Sequence, residues 1–466
     1  MYWETSCSTH VFSNESYEQA GQRDCFKELE IKPKLKFITK FYYKAKYKNI
    51  GYEHEICGLL SAKSNGTIKP NPEEIADYKW ISISKLKENI SKNPRKYAPW
   101  LKIALKEYSA VEFNIHNYMK ETAREVDKYS LEFLDKLKQE NKDLPFEIVE
   151  HLPKLRMSHE YIVKTRCVFY RLIYELIKPK GNWKEILPIL VAGELYAIST
   201  DVLDDIFDNQ PVRQNSQTTW KKFGINKAII AAILQRDICI KLLQKLNIPK
   251  NRMAEVLSSF EELDYKLYTG QYLNEQLKSN STYNDYLKRT NLICIDPLYM
   301  VKILSIYLGI DKKSRNKIEI LAKKWGTLSM MHNDFLNLVP EDIKTKTKTI
   351  AAKEKTFEDI RKGLWTYPVI HFFNKAPHNE KECALKILGD WDASTKDILQ
   401  FIELLEKNDS LMVFVKYILD FKNEFISYID ENFKNYKISN KDRLIKFIRL
   451  HETVTNYYKL MKEYFK

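Results

Sequence analysis

Glycine and proline are scarce in this chain, 12 and 15 among 466 residues. That scarcity disfavours turn-rich β architecture and favours long helices. CxxC pairs are missing, so no structural zinc site is expected. The seven cysteines are odd in number and widely spaced, which reads as reduced intracellular thiols rather than a disulfide framework. No uninterrupted apolar run approaches the length of a membrane span. The opening residues MYWETSCSTH lack a positive start followed by an apolar core. No secretory signal is therefore expected, and the chain reads as cytoplasmic. Arginine-rich blocks and basic-aromatic ladders are also lacking. The formal charge of +14 comes mostly from lysines mixed with 62 acids. It reads as a lysine-rich surface that suits phosphorylated substrates better than nucleic acid.

What is present is organised around Asp201 to Arg213, read D-V-L-D-D-I-F-D-N-Q-P-V-R. Asp201, Asp204, Asp205 and Asp208 follow an apolar segment, Ile186 to Ile198. On a helix these spacings place the carboxylates in one acidic stripe. Like charges this close destabilise a helix unless a cation sits between them. Hard carboxylate oxygens suit Mg²⁺, completed by waters and phosphate oxygens. A second oxygen-rich element is His332 to Glu341, where Asn333, Asn337 and Glu341 are spaced by four. A continuing helix would stack those three on one face, although Pro340 weakens the last turn. An ordinary polar helix end is the plain alternative for each element alone.

Helical spacing of apolar residues dominates from residue 111 onwards. Pro145 and Pro153 bracket an expected short helix, and no strand is expected after about residue 145. The first 110 residues differ. A helix is expected over Ser16 to Leu29 with Ser13 or Asn14 as its cap. Short β-rich runs follow at Phe37–Tyr43, Glu55–Ser61 and Tyr78–Ile83, separated by turns such as Ser64-Asn65-Gly66. The expected fold class is multidomain: a small N-terminal α/β domain over 1–110 with a mixed sheet, then a large all-α bundle over 111–466.

The N-terminal part resembles type I isopentenyl-diphosphate isomerase of the Nudix superfamily over nearly all of residues 3–108. Four motifs carry the likeness: Arg23 to Ile31 as a degenerate Nudix helix, Tyr52-Glu53-His54-Glu55 as a metal pair, Asn71 to Ile75 with Tyr78 to Trp80, and Tyr97-Ala98-Pro99-Trp100. The resemblance implies that His10, Glu53 and Glu55 hold a divalent metal, with Glu28 near a second. It also implies two further histidine ligands upstream of this segment. The family's catalytic cysteine falls at Ser8, and Cys7 is one residue out of place. These departures lead us to expect an inactive remnant with a packing or regulatory role.

The two acidic elements resemble those of the isoprenoid synthase fold, which comprises trans-prenyl diphosphate synthases and class I terpene synthases. The likeness spans roughly residues 115–375. Glu194 lies ten residues before Asp204, Gly270-Gln271 resembles the middle-helix G-Q, and Glu358 to Gly363 with Thr366-Tyr367-Pro368 resembles the closing segment. The resemblance implies Mg²⁺ held by Asp204, Asp205, Asp208, Asn333, Asn337 and Glu341. Asp204, Asp205, Asp208, Asn333 and Arg213 would then serve ionisation of an allylic prenyl diphosphate. Lys164, Arg166, Arg213, Lys288, Arg289 and Lys362 are the implied substrate contacts. Tyr170, Phe207, Met330 and Met331 are candidates for an apolar lining.

Chain-elongating members of this fold bind a second diphosphate through a G-G-K-R-x-R-P loop, a double arginine and a K-T pair. Here these are reduced to Val163-Lys164-Thr165-Arg166-Cys167, Arg213-Gln214 and Ile293-Cys294. The losses favour a terpene-synthase-like enzyme. A chain-elongating prenyltransferase supplied by a fused isomerase is the alternative, and an inactive scaffold is third. The tail beyond about residue 380 is aromatic and basic. It reads as bundle core or subunit interface, with peripheral membrane contact as the other reading. The resemblance implies a homodimer.

Overall fold

The computed structural model describes residues 3–47, 51–63, 67–158, 164–213, 216–346 and 356–465. The chain divides into two compact units, Met1–Ile115 and His116–Lys466.

In the first unit, α1 (Tyr17–Leu29) precedes β1 (Lys36–Tyr47) and β2 (Gly51–Ser61), which pair antiparallel with Tyr43 opposite Glu55. Then come α2 (Ile83–Lys92) and α3 (Pro99–Glu112). The cap of α1 is Ser16, not Ser13 or Asn14. Its hydroxyl accepts from Gln19 N, and the Gln19 side chain accepts from Ser16 N, a reciprocal box that fixes the helix start. The expected third strand at Tyr78–Ile83 does not form. Ser82 turns its hydroxyl to Lys85 N and caps α2 instead. The mixed sheet expected here is, among the described residues, an antiparallel pair plus a single parallel bridge between Trp3 and Tyr97. Tyr97, Ala98 and Leu101 form a small core with Trp100, Leu86 and Ile90 packed on it. The late P-W motif therefore works as packing, with Pro99 starting α3 where its missing N–H costs nothing. The turn Ser64-Asn65-Gly66 lies outside the described residues.

The second unit is helical: α4 (Ile115–Glu140), α5 (Phe146–Val149), α6 (His151–Ser158), α7 (Thr165–Ile177) and α8 (Leu187–Phe207). Pro153 sits in the first turn of α6 rather than closing α5, a position that tolerates proline. One departure from all-α is a two-residue ribbon, β3 (Val212–Arg213) with β4 (Ser216–Gln217). Next are α9 (Thr219–Phe223), α10 (Ile225–Leu243), α11 (Lys250–Asn274), α12 (Tyr283–Ile293), α13 (Asp296–Tyr307) and α14 (Lys312–Asn337). Short α15 (Glu341–Lys346) and α16 (Glu358–Arg361) precede α17 (Tyr367–Lys375) and α18 (His378–Leu385). The last four are α19 (Thr395–Lys407), α20 (Ser410–Asn432), α21 (Ile438–Ile448) and α22 (Thr453–Tyr464).

Helix α8 is the core helix. It packs against α7, α10 and α13, and nearly every residue from Leu187 to Ser199 is buried. Its length and hydropathy are those of a membrane span, yet 78% of its apolar window is buried inside the bundle. Each fully buried aliphatic side chain contributes about 2 kcal/mol. Helix α14 buries Leu321, Trp325, Leu328, Met331 and Phe335, a three-and-four spacing along one stripe. Trp325 stacks on Phe169 of α7 with ring centroids 4.4 Å apart. The C-terminal helices close over α14: His332 Nε2 lies 3.1 Å from Thr453 Oγ1, and Phe433 and Tyr457 are buried. Those tail aromatics belong to the core, in line with the core reading. The glycine of the G-Q pair has a packing cause. A Cβ on Gly270 would meet Ile293 N at 2.6 Å, so only glycine lets α11 and α12 approach this closely.

Candidate active site

The C-terminal ends of α8 and α14 carry the two acidic elements, and one short segment touches both. From α8, Asp208 Oδ2 accepts from Lys362 Nζ at 2.5 Å, and just beyond it Gln210 Nε2 donates to Glu358 Oε1 at 2.9 Å. From α14, Asn337 O accepts from Phe357 N at 2.8 Å and Asn337 Oδ1 from Asp359 N at 3.0 Å. Residues 357–362 thus tie together two helix ends that are far apart in sequence. Phe357 and Gly363 bracket this clasp with positive φ, 67° and 71°. The left-handed turn at Gly363 ends α16 at no steric cost.

The expected single stripe on α8 is split by the 100° turn per residue. Asp204 and Asp208 share a partly exposed face. Asp205 is 1% exposed; its Oδ1 accepts from Arg213 Nη2 at 2.7 Å and Nε at 2.9 Å, and its Oδ2 from Nε at 3.2 Å. Asp205 thus turns inward to a buried guanidinium, whereas Asp204 and Asp208 are partly exposed. Arg213 is correspondingly buried, 8% exposed, and also lies 3.7 Å from Asp201. Its companion position Gln214 lies outside the described residues.

Further along α8 a chain of buried ion pairs continues. Asp201 pairs with Arg156 at 2.9 Å, Arg156 reaches Glu194 at 3.2 Å, Glu194 meets Lys164 at 3.1 Å, and Lys164 meets Asp127 at 3.0 Å. Burial works against ionisation of Glu194, yet the charges of Lys164 and Arg156 outweigh it and hold the carboxyl below its usual range. Arg166 pairs with Asp296 of α13 at 2.7 Å. Lys164 and Arg166, expected to contact substrate, are therefore matched to carboxylates of the bundle itself. Val163 lies outside the described residues.

On α14, Asn333 is exposed, whereas Asp334 is buried and accepts from Tyr286 at 2.7 Å and Arg289 at 3.3 Å. Arg289 also donates to Asn274 at 2.7 Å. It is 3% exposed and links α11, α12 and α14. Lys288 is exposed on α12. Asn337 is buried, its amide oxygen turned to the clasp, so the stack of Asn333, Asn337 and Glu341 does not present three ligands together. Pro340 breaks the helix before Glu341, which begins α15. Phe207, expected to line an apolar space, is 60% exposed, while Tyr170 and Met331 are fully buried.

Hard divalent cations fit the α8 end best. Asp204 and Asp208 offer carboxylate oxygens on one face, and Asp208 already draws an ammonium to itself. Burial disfavours the charge on Lys362, but Asp208 outweighs it and holds the amine above its ordinary value. Sequence reading missed several residues here: Arg156, Gln210, Asp296, and Lys344. The last is 3% exposed, donates to Thr356 Oγ1 at 3.0 Å, and is pushed down to about 8 by burial despite Glu341, Glu358 and Asp359 nearby. No spacing rule announces such cross-bundle partners.

In the N-terminal unit the expected pair His10 and Glu55 do meet, with Nε2 3.7 Å from Oε1. The side chain of Glu53 lies outside the described residues. Glu28 is not with them. It sits with Cys7 and Asp24, all three offering ligand atoms within 4.8 Å of one another. Burial and the neighbouring Asp24 charge push Glu28 up to about 7.

Comparison with known proteins covers both units. The Polyprenyl synthetase family matches residues 153–405, more than half of the chain, and the NUDIX domain matches residues 1–101. The isopentenyl-diphosphate Delta-isomerase of Rhodobacter capsulatus is 32% identical over 114 residues, 24% of this chain and 65% of that protein. The chain thus spans less than two thirds of the length of that relative. A short chain isoprenyl diphosphate synthase of Methanocaldococcus jannaschii is 25% identical over 242 residues, 51% of this chain and 71% of that protein. Among solved structures, geranylgeranyl pyrophosphate synthase of Corynebacterium glutamicum, complexed with isoprenyl diphosphate and magnesium, matches with a TM-score of 0.62. It is 14% identical, over 72% of this chain and 98% of that one.

Proposed function

Because the chain belongs to the polyprenyl synthetase family, we propose that its helical domain ionises an allylic prenyl diphosphate and releases diphosphate. The clasp carries this reading: Glu358 and Lys362 bind the Asp208 end of α8 while Phe357 and Asp359 hold the Asn337 end of α14. Magnesium bound by Asp204 and Asp208 would supply Lewis-acid neutralisation of the leaving diphosphate. Lys362, 2.5 Å from Asp208 and 3.5 Å from Glu358, lies beside that face and holds the Asp208 carboxylate in place. Tyr170 and Met331, buried between helices, belong to an apolar interior in which a carbocation would be kept from water.

For the fate of the cation we favour reaction within one substrate, as in terpene synthases. Lys164 and Arg166, the remnants of the second diphosphate loop, are matched to Glu194, Asp127 and Asp296. A charge so matched has little left for another anion. Chain elongation is the second reading. It is supported by the names of the relatives and by the isomerase-like unit, whose product would be a starter for elongation. We place the domain boundary at 110/111 and read the first domain as a degenerate isomerase, since serine occupies the family's cysteine position. Stripping divalent metal with a chelator should abolish diphosphate release from allylic substrates, and magnesium should restore it. Release that persists in the chelator would refute the metal-assisted step.

The same reading makes the enzyme cytoplasmic and a homodimer. Ile225, Ile229, Ile230 and Ile233 form an exposed apolar stripe on α10, each 38–54% exposed, which suits a second copy. Ile229→Lys with Ile233→Lys should halve the mass seen by sedimentation while leaving the helical content unchanged. A variant that keeps the wild-type mass would remove this stripe from the interface.

A further inference from the structure

The clasp is held from a third place, the turn between α18 and α19. Gly389 N donates to Ile360 O at 2.9 Å. Arg361 Nη1 donates to Trp391 O at 2.9 Å and to Ala393 O at 2.6 Å. A Cβ on Gly363 would come within 3.1 Å of Gly389 Cα, so the two glycine backbones lie directly against one another. Gly389 has a φ of 89°, which side-chain-bearing residues rarely adopt. The turn itself is fixed. Asp390 Oδ1 accepts from Asp392 N at 2.9 Å, an Asx turn, and Ile387 and Ala393 are buried. Ser394 then caps α19 through a reciprocal box with Asp397, and α19 buries Ile398, Phe401, Ile402 and Leu405. The clasp therefore rests on the end of a packed helix and not on a free loop.

We propose that Arg361 and Gly389 are positioning residues for diphosphate release. They act through the clasp. The α18–α19 turn sets the place of α16, and α16 sets Lys362 on Asp208 and the Asp359 N–H on Asn337. This role rests on the proposed ionisation at the α8 face, and it brings in a turn that neither acidic element contains. A shift of about 1 Å in such a support can lower a rate by about 10²-fold even when the substitution is remote from the chemistry.

Steady-state diphosphate release from an allylic diphosphate at saturating magnesium tests the role. Gly389→Ala and Arg361→Met should each lower kcat by about 10²-fold with KM nearly unchanged. Arg361→Lys should recover part of the loss, because both hydrogen bonds come from one nitrogen that an ammonium can replace. A second background separates positioning from lost stability. In Lys362→Met the clasp has already lost its hold on Asp208, so adding Gly389→Ala should lower kcat by less than about threefold more. Asp311→Ala removes the N-cap of α14; it should lower the melting temperature and leave kcat unchanged. Should Gly389→Ala fail to fold, Arg361→Met and Arg361→Lys carry the same comparison. Wild-type kcat in Arg361→Met and Gly389→Ala, or equal losses in both backgrounds, would overturn the role and leave the ionisation reading intact. A wild-type chain that releases no diphosphate would overturn that reading and this role with it.

Discussion

Asp204→Ala is expected to lower diphosphate release by more than about 10³-fold while leaving the fold intact. Losing one group that stabilises developing charge commonly has an effect of this size. The fold should survive because Asp204 is partly exposed near the end of α8, while Asp205 keeps its hydrogen bonds to the buried Arg213. Asp205→Ala should behave differently. It leaves the buried Arg213 with Asp201 at 3.7 Å in place of its closer partner, and should show first as lost stability. The comparison therefore separates a ligand-bearing carboxylate from a structural one on consecutive residues. Steady-state release from an allylic diphosphate, with thermal melts of both variants, makes the measurement. An Asp204→Ala enzyme within about tenfold of wild type would deny the α8 face its role. It would leave the inactive-scaffold reading standing.

Lys164→Met is expected to destabilise the helical unit by about 3–5 kcal/mol. The Lys164 side chain is 1% exposed and lies between Asp127 and Glu194. Removing it leaves Asp127 uncompensated and Glu194 dependent on Arg156 alone. Asp127 is already pushed up by burial, which the Lys164 charge only partly offsets. If Lys164 instead bound a second diphosphate, the same substitution would spare stability and raise the KM for isopentenyl diphosphate. Denaturant unfolding beside kinetics with that co-substrate tells the two apart. A stability loss under about 1 kcal/mol with a raised KM would favour elongation.

The helical bundle was legible because its signals are periodic. Leu321, Trp325, Leu328 and Phe335 repeat at helical spacing, and so do the buried residues of α8. The carboxylates of α8 were legible as a set, but not their division. Asp204 and Asp205 are neighbours in sequence, and only the position of Arg213 after the turn decides which of them is buried. The clasp was seen as a motif, yet its use of Asn337 was not. An amide at a helix end reads equally well as a metal ligand or as a backbone acceptor, and the Asp359 N–H that Asn337 accepts arrives from a distant segment. Tyr78–Ile83 misled for a local reason: a β-rich composition preceded a serine whose hydroxyl starts a helix. Cross-bundle partners such as Asp296 for Arg166 carry no local signal at all.

The fate of the allylic cation is the claim on which the functional account turns. It is read most directly by incubating the purified chain with magnesium and allylic diphosphates of several lengths, with and without isotopically labelled isopentenyl diphosphate, and weighing the products. A hydrocarbon or alcohol formed without the five-carbon partner, and carrying no label when it is present, is the predicted outcome. A longer, labelled prenyl diphosphate formed only when both substrates are supplied would contradict it.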